Sequence, residues 1–245
     1  MIEDLEKKLN MDDYDREAVF TPAMVNVIVM VIIVLSSFYN HSLAFMKSGW
    51  WQPIIKIAGT IAVAAVLIRF IMFITQGASK FFEDINYGRD RLHFPTTSML
   101  LLSDNSIGQD LKKRVRRELK TLYNVRLCSK TSERANELEA RKAAKDAVAL
   151  IRQDVAKLYD DMMQRKLKRY GAYRNFLGGA LFCLPISIIC WAIGLTMSMS
   201  SIASTIILIL YAILAVVDYF LAKKAAVDYA ENLLITFDKN NFNET

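Results

Sequence analysis

Four long apolar runs, Val19–Phe38, Ile54–Ile74, Phe176–Met197 and Ile202–Leu221, punctuate this chain of 245 residues. A helix rises ~1.5 Å per residue and the hydrocarbon layer is ~30 Å thick, so a run of ~20 apolar residues is long enough to span it. The first two runs are separated by a short polar stretch, as are the last two, while a long polar segment parts the pairs. The pattern predicts an all-α membrane protein with four transmembrane helices, arranged as two hairpins that flank a helical cytoplasmic domain. The boundaries follow: an acidic arm over 1–18, a first hairpin over 19–75, a basic helical domain over 76–175, a second hairpin over 176–221 and a helical tail over 222–245.

Within the middle domain no Gly or Pro occurs between Gly108 and Gly171, which favours helix. One helix is predicted over Gln109–Tyr123, with Ser106 and Gln109 at capping-box spacing and an apolar face of Leu111, Val115, Leu119 and Leu122. A longer one is predicted from about Glu133 to Arg169. There Ala144, Val148, Ile151, Val155, Leu158 and Met162 alternate by four and three, the spacing of a coiled-coil seam. The apolar segment from His93 to Leu102 reads either as a short buried strand or as a loop docked beneath the helices. The fourth apolar run continues without a breaker to Leu233, predicting one helix that leaves the bilayer and packs beside the middle domain. Residues 1–18 suit a short amphipathic helix with Ile2, Leu5 and Leu9 on one face and seven acids in all. So acidic an arm is repelled by anionic lipid and is expected to dock on the basic domain instead.

Charge sets the expected orientation. Residues 76–175 hold 22 Lys and Arg against 13 Asp and Glu, whereas the loop at 39–53 carries Lys47 alone. Lys and Arg close to membrane segments stay on the cytoplasmic side, which places both termini and the middle domain there. Trp50 and Trp51 suit the opposite interface, where Lys56 can snorkel outward. The acidic start lacks the apolar core of a cleavable signal, so the first membrane helix is expected to act as the targeting signal. Cys128, Cys183 and Cys190 show no metal-ligand spacing and predict no disulfide in that compartment; His41 and His93 stand alone. Neither a phosphate loop, a nucleophile elbow nor a zinc pattern is present, so no catalytic residue, metal or cofactor is expected.

The sharpest polar signal lies on the helix at 109–123. At ~100° per residue, Lys112, Lys113, Arg116, Arg117 and Lys120 fall within an arc of about 140°. Such a stripe fits phosphates of an oligonucleotide or nucleotide, anionic headgroups, or a plain solvated face. Arg69 in the second run and Asp218 in the fourth are ionisable groups inside apolar segments, where burial without a partner is costly. They read as a gating latch, within one chain or between subunits, or as a snorkelling Arg and an Asp at the membrane edge. Ala58, Gly59, Ala62, Ala64 and Ala65 allow close helix approach, or line an apolar pore that gates by dewetting. Two runs rhyme as Tyr-Gly-x-x-Arg, at Tyr87–Arg91 and Tyr170–Arg174, either as a repeated coupling element or by chance.

The two-plus-two layout, the segment Arg91-Leu92-His93-Phe94-Pro95-Thr96-Thr97 and the closing Tyr170-Gly171-Ala172-Tyr173-Arg174-Asn175 resemble small helical membrane effectors of bacterial anti-phage defence. The likeness is to the membrane partner of the Hailong system, encoded beside a nucleotidyltransferase. The resemblance implies an oligomeric ion channel, a tetramer, in the bacterial inner membrane. It also implies that short DNA oligomers made by the partner enzyme hold the channel shut, and that losing them opens it in abortive infection. A non-conducting scaffold that recruits a soluble partner through the cytoplasmic coiled coil is the alternative.

Overall fold

The computed structural model describes residues 12–38, 61–158, 160–197 and 202–242. Among the described residues every regular element is helical. A π-helical turn, Asp15–Phe20, leads into α1 (Thr21–Ser37), followed by α2 (Ile61–Tyr87), α3 (Pro95–Met99), α4 (Gln109–Tyr123), α5 (Lys130–Ala135), α6 (Glu137–Ala156), α7 (Asp161–Thr196) and α8 (Ile202–Phe242). Among the described residues three helices are long and apolar enough to cross a membrane: Asp15–Ser37, Asp161–Thr196 and Ile202–Asn241. The chain is therefore compatible with a multi-pass membrane protein. The second apolar run enters the described residues only at Ile61; Trp50, Trp51, Lys56, Ala58 and Gly59 lie outside them, as do the side chains of Ala62, Ala64 and Ala65.

The chain divides into two compact units. One runs through Phe82 and takes in Gly171–Leu221; the other is Glu83–Tyr170 with the residues from Ala222. In the first unit many outward positions are apolar, among them Ile28, Leu35, Phe73, Ile189, Ile209 and Phe220. A surface of that kind suits hydrocarbon rather than water. Inside, Val19 and Ala23 pack on Ile68 and Met72, and Ile33 packs with Ala180, Cys183, Leu208 and Tyr211.

Polar side chains in this unit are tied to one another. Asn26 is fully buried; its Nδ2 donates to the Pro22 carbonyl at 2.8 Å and to the Phe176 carbonyl at 3.1 Å, and its Oδ1 accepts from the Tyr211 hydroxyl. One amide thus joins α1, α7 and α8, and such bonds in an apolar medium contribute roughly 0.6 kcal/mol each, up to about 1.7. Further out, Trp191 Nε1 donates to Thr205 Oγ1 at 2.9 Å, closing the α7–α8 pair. Asn175 Nδ2 reaches the Ala18 carbonyl in the π-helical turn at 2.6 Å. Glycines on α7 make these approaches possible. A Cβ at Gly178 would stand 2.4 Å from the Thr75 carbonyl oxygen, and one at Gly179 would stand 2.5 Å from Asn26 Nδ2.

The second unit buries a face of α8, with Ala222, Ala226, Ala230, Leu233, Leu234 and Phe237 at spacings of four, four, three, one and three. The fourth apolar run does continue as one helix, to Phe242. The helix expected over Glu133–Arg169 is instead divided. Asn136 leaves the helical region and its side chain accepts from the Glu139 amide, capping α6. At the far end Asp160 Oδ1 accepts from the Met162 amide at 2.8 Å and starts α7. The seam ends with it: Ala144, Val148, Ile151 and Val155 are buried by their own chain, whereas Leu158 and Met162 are exposed. The segment at 93–102 is neither strand nor plain loop. Pro95 opens the single turn α3, where its missing N–H costs nothing, and Met99, Leu100 and Leu101 follow it into the core.

Close packing at Gly178 is open to test. Gly178→Ala is expected to cost about 1–3 kcal/mol through overpacking against Thr75. Gly77→Ala, whose Cβ meets nothing within 4 Å, is expected to be neutral or to gain up to ~1 kcal/mol of helix propensity. Thermal unfolding in detergent compares them; equal melting temperatures would contradict the contact.

Candidate functional site

Helix α4 begins after Gly108 and ends at Asn124, whose φ of 53° is the left-handed conformation that Asn tolerates. The expected Ser106 cap does not form, because the Ser106 amide and hydroxyl both bond Asp104 Oδ1. The buried face is turned from the one expected: Lys112, Val115, Glu118 and Leu119 face inward, while Leu122 is half exposed. That turn divides the basic stripe.

Lys112 is completely buried, and its Nζ donates to the Leu101 and Asp104 carbonyls, each at 2.6 Å. Burial holds its pKa below the usual lysine value, and nearby Asp104 and Glu133 oppose the shift. Arg116 donates to the Leu100 carbonyl at 2.9 Å, to Glu133 Oε1 at 3.2 Å and to the Cys128 carbonyl. Glu133, itself buried, also accepts the amides of Leu102 and Ser103 at 2.9 and 3.0 Å. Lys112, Arg116 and Glu133 therefore supply partners for a partly buried loop whose own backbone groups do not pair in a helix. Both cations are committed to the fold rather than presented to a ligand.

Lys113, Arg117 and Lys120 remain exposed. Spaced by four and three, they form a single outward basic line. Beside it Arg114 makes a two-pronged bond to Asp238 on α8, with Nη2 2.8 Å and Nε 2.9 Å from the carboxylate oxygens. Glu118 is buried nearby, and its Oε2 has no hydrogen-bond partner among the described residues. Burial, reinforced by Asp238, pushes its pKa up to about 7.

Arg69 lies exposed on α2, and Asp218 is half buried on α8. The two Tyr-Gly-x-x-Arg runs are not structural equivalents. Gly88 takes a φ of 75° and ends α2, whereas Gly171 lies inside α7. The two tyrosines are nonetheless linked through Phe94, whose ring lies 4.9 Å from Tyr87 and 5.6 Å from Tyr170, both edge-on. Tyr170 donates at 2.6 Å to Oε1 of buried Glu83, and Arg91 donates at 2.6 Å to its other oxygen. Sequence reasoning left Glu83 unmarked; its signal is an acid four residues before Tyr87 on the same helix, which is weak. Among the described residues no group of three His, Cys, Asp or Glu could hold a metal ion. No family model, curated protein or solved structure matches the chain.

Two outcomes follow from this arrangement. Arg116→Met leaves Glu133 buried without its cation and is expected to cost about 3–5 kcal/mol, whereas Lys113→Met is expected to lie within ~0.5 kcal/mol of wild type. Matched denaturation curves decide it, and equal stability of the two variants would refute the division of the stripe.

Glu118 makes stability depend on pH. Because its folded pKa is raised above the ordinary carboxyl value, the folded state holds the proton more tightly than the unfolded one. Its contribution is full at pH below about 4.5 and is lost as pH rises through about 7. Glu118→Gln should therefore melt higher than wild type at pH 8 and close to it at pH 4.5. A constant difference across that range would contradict the assignment.

Proposed function

We propose that this protein is an oligomeric four-span membrane channel whose basic cytoplasmic domain binds a phosphate-rich ligand that controls the pore. The two apolar pairs act as membrane hairpins, with both termini on the cytoplasmic side. Short DNA oligomers or nucleotides are the ligand class, as the resemblance to the anti-phage effectors implies, and the bound ligand holds the pore shut. The same resemblance implies four subunits, a nucleotidyltransferase that supplies the ligand, and action in abortive infection. Lys113, Arg117 and Lys120 serve as the first contacts for the ligand backbone.

The observation that carries this reading is the continuity of α7 and α8. Each is one unbroken helix, Asp161–Thr196 and Ile202–Phe242, apolar over one part and built into the basic unit over the other. A ligand that shifts the basic unit then acts directly on helices suited to the bilayer. Pro185 removes one backbone bond within α7 and supplies a position at which that helix can bend. Arg69 and Asp218 enter as gate groups between subunits. The scaffold alternative is weakened because the apolar seam of α6, its recruiting surface, is buried within its own chain.

Ion flux through proteoliposomes tests the proposal. Short single-stranded DNA is expected to suppress flux in the wild-type protein. The variant carrying Lys113→Glu, Arg117→Glu and Lys120→Glu should need at least ~10-fold more DNA, since three phosphate contacts are reversed. Absence of flux with and without DNA would reject the channel.

A further inference from the structure

Between the turn that precedes α3, α3 itself and α6 lies a cavity of about 170 Å³. We propose that it is a phosphomonoester site, which receives the terminal phosphate of a nucleotide or of an oligonucleotide end. The inference rests on the reading of the basic unit as a binder of phosphate ligands, and it locates that recognition away from the stripe on α4.

Three cations line the cavity from separate positions. Arg91 comes from the turn, and Lys145 and Arg152 from α6, seven residues apart and therefore on one face. Arg91 holds a left-handed φ of 56°, a conformation uncommon outside Gly, and is braced there by Glu83. Its charge is thus partly offset. Asp146 is the one acid on the lining, which leaves a net positive site.

Two lining side chains are incompletely bonded. Thr96 is almost fully buried, yet its Oγ1 has no hydrogen-bond partner among the described residues. Arg152 Nε is likewise buried and unbonded. Most buried polar atoms in proteins are satisfied, and leaving one unbonded is costly. Both atoms belong to residues that line the one small cavity. The Arg152 guanidinium lies 5.8 Å from the ring centres of both Phe94 and Tyr229, so its plane is positioned before any ligand arrives. An acceptor with several oxygens and negative charge suits the three cations Arg91, Lys145 and Arg152; a dianionic phosphate is one. The volume is small beside the roughly 300–1,000 Å³ of sites that enclose whole organic ligands, so the phosphate enters and the remainder stays outside.

Binding to the detergent-solubilised full chain, read by calorimetry, tests the site independently of conduction. The probes are a four-residue oligothymidylate with a 5′-phosphate, the same oligomer with a 5′-hydroxyl, and thymidine monophosphate. The phosphorylated oligomer is expected to bind at least ~10-fold more tightly than the hydroxyl form, the scale of one hydrogen bond to a charged group. Monophosphate binding equal to that of the phosphorylated oligomer assigns the site to free nucleotides; much weaker monophosphate binding assigns it to strand ends.

Lys145→Ala, at an exposed position, and Thr96→Val, nearly isosteric, should each erase most of the preference for the 5′-phosphate. Thr96→Val should also melt no lower than wild type without ligand, because it removes an unbonded hydroxyl. Equal affinity for the two oligomers, or an undiminished preference in both variants, would overturn the proposal. The variant reversed at Lys113, Arg117 and Lys120 keeps its 5′-phosphate preference if the cavity is the site. Loss of the preference there, with Lys145→Ala unaffected, would return recognition to α4.

Discussion

A buried polar group must find a partner, and the packing of this protein is organised around that requirement. In the apolar unit the requirement falls on Asn26, whose amide is satisfied by Pro22, Phe176 and Tyr211 and so joins three helices at one point. In the basic unit it falls on the loop after α3, whose carbonyls and amides are met by Lys112, Arg116 and Glu133. Glycines on α7 bring backbones close enough for the first set of bonds, and the inward turn of α4 brings side chains close enough for the second. Among the described residues the requirement is unmet at Glu118 beside α8, and also at Thr96 and Arg152, two residues that line one cavity. The same constraint thus accounts for the order of the fold and marks a place where it is incomplete.

Mechanical economy follows from the long helices. α7 and α8 each contribute residues to both units, so the chain passes between them without a separate linker at those points. Arg114 and Asp238 fix α4 to the last turns of α8, and Thr236 on α8 bonds Asp160 at the start of α7 at 3.2 Å. Glu118 sits beside that clamp with its pKa raised by burial, which makes the junction of α4 and α8 one pH-sensitive part of the basic unit. These ties bind the basic helix to the helices whose apolar parts suit the bilayer.

Much of the helical layout was legible in the sequence. Apolar run length marked the long helices, and the bounds of α4 at Gln109 and Tyr123 follow from a Gly before it and an Asn after it. The direction in which α4 faces was less legible. Lys112 lies three residues before Val115 and seven before Leu119, a spacing that puts it on the buried face, but charge argued for the surface and its acceptors are loop carbonyls invisible to periodicity. The division of the helix at 133–169 depends on Asn136 and Asp160 acting as caps, and neither breaks a heptad pattern on its own. The cavity was out of reach for a different reason. Arg91, Thr96, Lys145 and Arg152 are separated by up to 61 positions along the chain, and only the fold of α3 against α6 brings them together.

A structure of the assembled protein in lipid, determined by electron microscopy with a 5′-phosphorylated oligonucleotide present, tests the central claim most directly. The account places phosphate density among Arg91, Lys145 and Arg152, with Thr96 Oγ1 and Arg152 Nε now bonded to it. Ligand density confined to the outer face of α4, with that cavity empty and both atoms still unbonded, would contradict it.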